Sequence, residues 1–208
     1  MNTLDLCQYA PVIPVIVLNR VEHAVPMARA LAAGGVRVLE VTLRTPQALD
    51  SMRQIAAEVP DAIVGAGTVR SAADARAAKE AGCQFAVSPG FTVEVAQACQ
   101  ELDLPLLPGV ATASEVMLAQ SHGFRFLKFF PATAAGGIPL LKALAGPFPD
   151  VVFCPTGGIT LATAPDFLAL PNVKVCGGSW LLPQDAMDAG DWDRITTLAR
   201  EACALRRP

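Results

Sequence analysis

One lysine stands out by its surroundings. Lys128 lies within Phe124-Arg125-Phe126-Leu127-Lys128-Phe129-Phe130, where strand alternation puts Phe126, Lys128 and Phe130 on one face and Leu127 with Phe129 on the other. A surface lysine keeps its ammonium wet by snorkelling, which a central strand flanked by aromatic rings makes difficult. Apolar surroundings disfavour the charged form of an amine, and the neutral amine is the form that attacks a carbonyl. The run points to a nucleophilic amine, with a lysine merely reaching the mouth of a barrel as the alternative.

A carboxylate accompanies it in Val36-Arg37-Val38-Leu39-Glu40-Val41-Thr42-Leu43-Arg44. Glu40 and Thr42 share a strand face, and a carboxylate beside a buried amine suits proton transfer, because the two groups can share protons during a reaction. A structural ion pair from Glu40 to Lys128 or Arg44 explains this run equally well. Both readings put Glu40 at the site. Two glycine clusters complete the set: Pro155-Thr156-Gly157-Gly158-Ile159 and Gly177-Gly178-Ser179-Trp180. Glycine lets backbone N–H groups approach an anion closely, so two such loops at adjacent strand ends read as a phosphate site, with simple tight turns as the alternative.

These residues need a scaffold. Short runs rich in Val, Ile, Leu and Phe alternate with Ala-rich amphipathic stretches, with Gly or Pro at the joints, as in βα units around a parallel sheet. Eight strands are expected: Val12 to Leu18, Val36 to Thr42, Ile63 to Ala66, Phe85 to Ser88, Leu106 to Pro108, Phe124 to Phe129, Val151 to Cys154 and Val173 to Cys176. Thr45 before Pro46 and the Thr112/Glu115 spacing mark helix starts, while Gly34, Gly82 and Gly123 mark helix ends. Thr3 to Tyr9 reads as a short extra helix closing the lower end. Eight consecutive units with short connections favour a single (β/α)8 TIM barrel over residues 1–208 rather than two doubly wound halves. In such a barrel the reactive side chains gather at the C-terminal strand ends. That expectation selects Glu40, Thr42 and Arg44, then Thr68, Ser88 with Pro89, Lys128, Thr156 and Ser179.

Composition removes whole classes of function. The 208 residues are 52% hydrophobic and 17% charged, which fits one folded domain with a large core. The net charge is −3 and the 16 Lys and Arg are scattered, so nucleic acid is not an expected partner. No apolar run reaches the roughly 18 to 20 residues of a membrane span and Met1 to Ala10 lacks a secretion signal, so a cytoplasmic protein with a small-molecule partner is expected. The six cysteines show no metal or redox spacing and read as free buried thiols. His23 and His122 read as surface residues near helix ends, and no metal is expected.

Taken together, the motifs resemble the bacterial 2-keto-3-deoxy-6-phosphogluconate (KDPG) aldolases, grouped with the 4-hydroxy-2-oxoglutarate (KHG) aldolases. The resemblance covers nearly the whole chain. It is carried by Glu40-Val41-Thr42-Leu43-Arg44-Thr45, Gly65-Ala66-Gly67-Thr68-Val69, Phe85-Ala86-Val87-Ser88-Pro89-Gly90, Lys128-Phe129-Phe130-Pro131-Ala132 and the two glycine clusters. It implies a class I aldolase, usually a homotrimer, with neither metal nor organic cofactor. It implies Lys128 as the Schiff-base lysine and Glu40 as the general acid/base. Arg44 and Thr68 would hold the keto-acid carboxylate, Pro89 and Phe130 would line the pyruvate end, and Gly157, Gly158, Gly178 and Ser179 would take the phosphate.

Thr156 matches a position that the family links to stereochemical discrimination. With Ser179, it leans the expectation toward the gluconate substrate over its galactonate epimer. Thr133 departs from relatives that often carry an acidic residue there, which bears on a local loop or subunit contact only. Two rivals remain at this level. A phosphate-binding barrel isomerase or epimerase would share the glycine loops without requiring an amine among Phe residues. A non-catalytic sugar-phosphate sensor should have lost Lys128 or Glu40.

Overall fold

Parallel strands alternate with helices along the chain. The structure, a computed structural model, describes residues 3–205; Met1, Asn2 and positions 206–208, the ends of the expected 1–208 domain, lie outside them. The strands are β1 Val12–Ile16, β2 Val38–Thr42, β3 Ile63–Gly67, β4 Phe85–Val87, β5 Leu106–Leu107, β6 Gly109–Val110, β7 Phe126–Phe129, β8 Val152–Pro155 and β9 Cys176–Gly178. The helices are α1 Ala24–Ala33, α2 Ala48–Glu58, α3 Ala72–Glu80, α4 Val93–Glu101, α5 Ala113–Ser121, α6 Gly137–Ala145, α7 Ala164–Leu168, α8 Gln184–Ala189 and α9 Trp192–Cys203.

Six strands pair in parallel in the order β5-β4-β3-β2-β1-β9, and three more in the order β6-β7-β8. The two sheets meet twice. Pro108 separates β5 from β6 on one continuous stretch, and its carbonyl accepts from the Lys128 amide at 2.8 Å. On the far side, isolated bridges join Phe153 to Val173 and Thr156 to Gly177. Three steps from Phe153 to Thr156 thus face four from Val173 to Gly177, so the approach to β9 carries one extra residue, a bulge. That bulge explains why the last strand, expected over Val173 to Cys176, runs instead from Cys176 to Gly178.

Side chains divide cleanly by strand parity. Leu39, Val41, Leu127 and Phe129 point outward into apolar layers shared with the helices. Ile13, Val38, Ile63, Phe85, Leu107, Phe126, Cys154 and Val175 form an inner cluster drawn from both sheets. Leu6, fully buried, joins that cluster from below. The expected N-terminal helix is therefore a 3₁₀ helix, Thr3–Gln8, with Leu6 as its plug.

Local signals meet mixed outcomes. Thr112 and Glu115 form a reciprocal capping box at the start of α5. Thr45 caps nothing: α2 begins at Ala48 behind Gln47, and the Thr45 hydroxyl donates to the Leu18 carbonyl at 2.5 Å instead. Gly34 does end α1, although the positive φ falls one residue later, at Gly35. His23 and His122 border α1 and α5 as expected. Among the described residues, no helix is long and apolar enough to cross a membrane.

Candidate active site

Inner-face parity puts the two reactive groups above the apolar cluster. Phe126 and Val38 belong to that cluster, and the next inward residues on the same strands are Lys128 and Glu40. Lys128 Nζ lies 3.0 Å from Glu40 Oε1, and each side chain is only 4% exposed. The aromatic setting read from the sequence is present, with Nζ 5.3 Å from the Phe130 ring centre, but the amine also faces a carboxylate. The ion pair and the proton-transfer geometry are one contact, so the two readings of Glu40 share their structural basis.

Neighbours fix the pair from several sides. Lys128 is in register with Gly109 on β6 and Cys154 on β8. Cys154 is buried, and burial pushes its thiol well above the ordinary thiol range, so it stands neutral beside the amine. Gly67 on β3 leaves room for the Glu40 side chain, since a Cβ there would meet Oε1 at 2.5 Å. Thr42, on the same strand face as Glu40, is committed to structure: its hydroxyl donates to the Ile16 carbonyl at 2.8 Å. The Ser88 hydroxyl likewise closes its own turn on Gly90.

Arg44 and Thr68 meet directly, with Arg44 Nε donating to Thr68 Oγ1 at 3.2 Å. Thr68 adopts φ +62, a left-handed conformation that a β-branched residue seldom takes. Flanking hydrogen bonds hold it there: Leu43 N donates to Gly67 O, and Val69 N to Val87 O. Strain of this kind gathers where a side chain must be aimed, and here the hydroxyl is aimed at a guanidinium.

A cavity of about 250 Å³ gathers most of the expected residues: Arg44, Phe130, Thr156, Gly157, Gly158, Gly178 and Ser179. Pro89 is not part of its lining. Its carbonyl lies against the face of Gly109 that, by register with Lys128, is turned inward. Ile159 and Gly177, from the two glycine clusters, also line it, and Val15 and Val17 do so without having been expected. Strand alternation from Ile13 was the available signal for Val15 and Val17, but aliphatic residues carry no chemical flag in a sequence. A separate hollow of about 300 Å³ beside α4, lined in part by Gln97, Asp103 and His122, contains none of the reactive residues.

The glycines also have packing reasons. A Cβ on Gly177 would overlap the Thr156 hydroxyl, and one on Gly178 would overlap the Trp180 ring. Gly157 and Gly158 both have positive φ, at +104 and +76. The Gly158 amide donates to no protein acceptor among the described residues, while that of Gly157 is turned toward β9, where Thr156 bridges Gly177. The ensemble can therefore receive a carbonyl at an amine, pass a proton to an adjacent carboxylate, and hold anions at a guanidinium and at a free amide.

Comparison with known proteins agrees with this chemistry. A family model for KDPG and KHG aldolase matches residues 4–198. The chain is similar to the 2-dehydro-3-deoxy-phosphogluconate aldolase of Dickeya dadantii, 58% identical over 194 residues, 93% of this chain and 91% of that protein. It is 59% identical over 192 residues to the KHG/KDPG aldolase of Escherichia coli strain K12, covering 92% and 90% of the two chains. Among solved structures, it resembles the KDPG aldolase of Legionella pneumophila, in which pyruvate was captured at low pH as a covalent carbinolamine intermediate. That match has a TM-score of 0.96 and 46% identity, over 98% of this chain and 99% of that one.

Proposed function

The chain belongs to the KDPG and KHG aldolase family, and from that premise we propose how its own residues carry the reaction. The enzyme is a class I aldolase that cleaves 2-dehydro-3-deoxy-6-phosphogluconate to pyruvate and D-glyceraldehyde 3-phosphate, and also 4-hydroxy-2-oxoglutarate to pyruvate and glyoxylate. The observation that carries this reading is the 3.0 Å contact between the buried Lys128 amine and the buried Glu40 carboxylate.

Lys128 Nζ adds to the C2 ketone, and loss of water gives a protonated imine. Glu40, directly or through one water, takes the C4 hydroxyl proton. The C3–C4 bond breaks, its electron pair flows into the imine, and the aldehyde leaves behind an enamine. Protonation at C3 and hydrolysis of the imine then free pyruvate and the amine.

The remaining roles are those the family resemblance implies, and the positions of the side chains support them. Arg44, oriented by Thr68, binds the keto-acid carboxylate through charge-assisted hydrogen bonds. Phe130 and Pro89 line the pyruvate end beside Lys128, Pro89 with its carbonyl against the inward face of Gly109. Thr156 faces the hydroxyl-bearing carbon and, with Ser179, favours the gluconate epimer over the galactonate one. Gly157 and Gly158, with Gly178 and Ser179, take the phosphate. Phosphate binding far from the breaking bond positions the substrate.

The two sheets are read as one (β/α)8 barrel forming a single domain. The shared inner cluster and the bridges at Thr156 and Val173 support that reading. A homotrimer is also proposed, and Met117 and Leu118 on α5, 61% and 45% exposed, suit contact with a second copy. Sedimentation at several protein concentrations tests it.

Borohydride reduction in the presence of pyruvate, followed by peptide mapping, tests the central step. The expected result is a stable adduct on Lys128 that is absent from Lys128→Ala. Full cleavage activity in Lys128→Ala overturns the mechanism.

A further inference from the structure

Beyond Lys128, the same chain segment runs through Phe130 to Thr133 and meets the loop that follows β8. Ala132 N donates to the Thr156 carbonyl at 2.7 Å. Thr133 donates twice to the Gly157 carbonyl, from its backbone N at 3.1 Å and from Oγ1 at 3.2 Å. A trans peptide is planar, so its C=O and its N–H point in opposite directions. With the carbonyls of Thr156 and Gly157 drawn toward residues 132–133, the amides of Gly157 and Gly158 are turned the other way. Both glycines line the cavity; the Gly157 amide is turned toward Gly177 on β9, and among the described residues the Gly158 amide has no protein acceptor. The fit is reciprocal, because a Cβ on Gly158 would overlap the Thr133 side chain.

We infer that Thr133 is a positioning residue for the phosphate end of the substrate, its hydroxyl locking the Gly157–Gly158 peptide so that the Gly158 amide is aimed at the anion. The sequence alone set Thr133 outside the working site. The structure ties it to the cavity through one carbonyl. The inference rests on the proposed phosphate role of Gly157, Gly158 and Ser179, and it adds a link from the Lys128 strand to that subsite. A flexible glycine pair left untied would have to order its peptide planes on binding, which weakens affinity.

The test compares full-length Thr133→Val and Thr133→Ser with the parent. Valine keeps the shape and removes the donor; serine keeps the donor. Thr133→Val should raise KM for the phosphorylated substrate roughly three- to ten-fold, the range set by one net hydrogen bond. Its change on 4-hydroxy-2-oxoglutarate, which has no phosphate, should be far smaller. Competitive inhibition by inorganic phosphate should weaken by a similar factor, and Thr133→Ser should restore both. Equal loss on the two substrates, or no loss on either, overturns the positioning role, and a thermal melt identifies any folding defect. Failure of the phosphate assignment is separately visible: inorganic phosphate would then fail to compete in the parent, and Ser179→Ala would leave KM for the phosphorylated substrate unchanged. In that event the role of Thr133 falls with it.

Discussion

Glu40 occupies the space that a side chain at Gly67 would need: a Cβ there would lie 2.5 Å from Oε1 and 2.7 Å from Cγ. The carboxylate therefore owes its place over Lys128 to a missing methyl group on the adjacent strand. Gly67→Ala should push Glu40 out of line and lower kcat by about a hundred-fold, since proton transfer is sensitive to small displacements. Trapping of pyruvate on Lys128 should persist. Steady-state rates beside a borohydride trap check both, and a fully active Gly67→Ala protein would show that the carboxylate has room to spare.

The Lys128–Glu40 pair is buried on both sides, so removing one charge leaves the other uncompensated. Lys128→Met should cost about 3 to 5 kcal/mol of stability, the usual penalty for breaking a buried pair. Adding Glu40→Gln should recover part of that loss. Urea denaturation of the single and double variants measures the coupling, and simple additivity of the two changes would mean that the charges do not depend on each other.

Thr68 is held at φ +62, where a β-branched residue carries about 1 to 2 kcal/mol of strain. Thr68→Gly relieves that strain at an entropic cost of roughly 0.5 to 1 kcal/mol. The variant should therefore be at least as stable as the parent. It also loses the partner of Arg44 Nε, so KM for both keto acids should rise by about ten-fold. A clear drop in melting temperature would contradict the strain account.

Burial pushes the Cys83 thiol up to about 12. In the unfolded chain a thiol ionises near 8.5. Above that pH the unfolded state holds fewer protons than the folded one, so stability is complete below about 8.5 and falls as pH rises toward about 12. The slope approaches about 1 kcal/mol per pH unit for this one group. Cys83→Ala should flatten the decline measured by denaturation between pH 8 and pH 10.5. Parallel curves for the two proteins would remove Cys83 as its source.

Much of the site was legible because its residues break local rules. Lys128 among phenylalanines, Glu40 within a valine strand and glycine pairs at two strand ends each conflict with the surroundings, and such conflicts mark function. Alternation grouped Lys128 with Phe126 and Phe130, and Glu40 with Thr42; that these faces are the inner ones follows from the cluster beneath them. Val15 and Val17 were not legible, because an aliphatic residue lining a cavity looks like one in a core. The role of Pro89 came from resemblance alone, because a proline after a short strand reads equally well as a turn. The shift of β9 was also hidden, since a one-residue bulge leaves no mark in an apolar run. Thr45 shows the same limit for caps: its hydroxyl was taken by a carbonyl 27 positions away in sequence, which no local pattern encodes.

The plugged interior beneath Lys128 has a consequence for the order of events. Among the described residues, Leu6, Ile13, Phe85 and Phe126 fill the space below the amine and close the lower end. Gly157 lies three residues beyond Cys154, the strand partner of Lys128, and so about 10 Å nearer the rim. With the phosphate at Gly158 as proposed, the fragment bonded to Lys128 is the deeper of the two and the phosphorylated aldehyde is stacked above it like a stopper. Departure must be sequential, aldehyde first and pyruvate second, and in the synthetic direction pyruvate must load before its partner can enter.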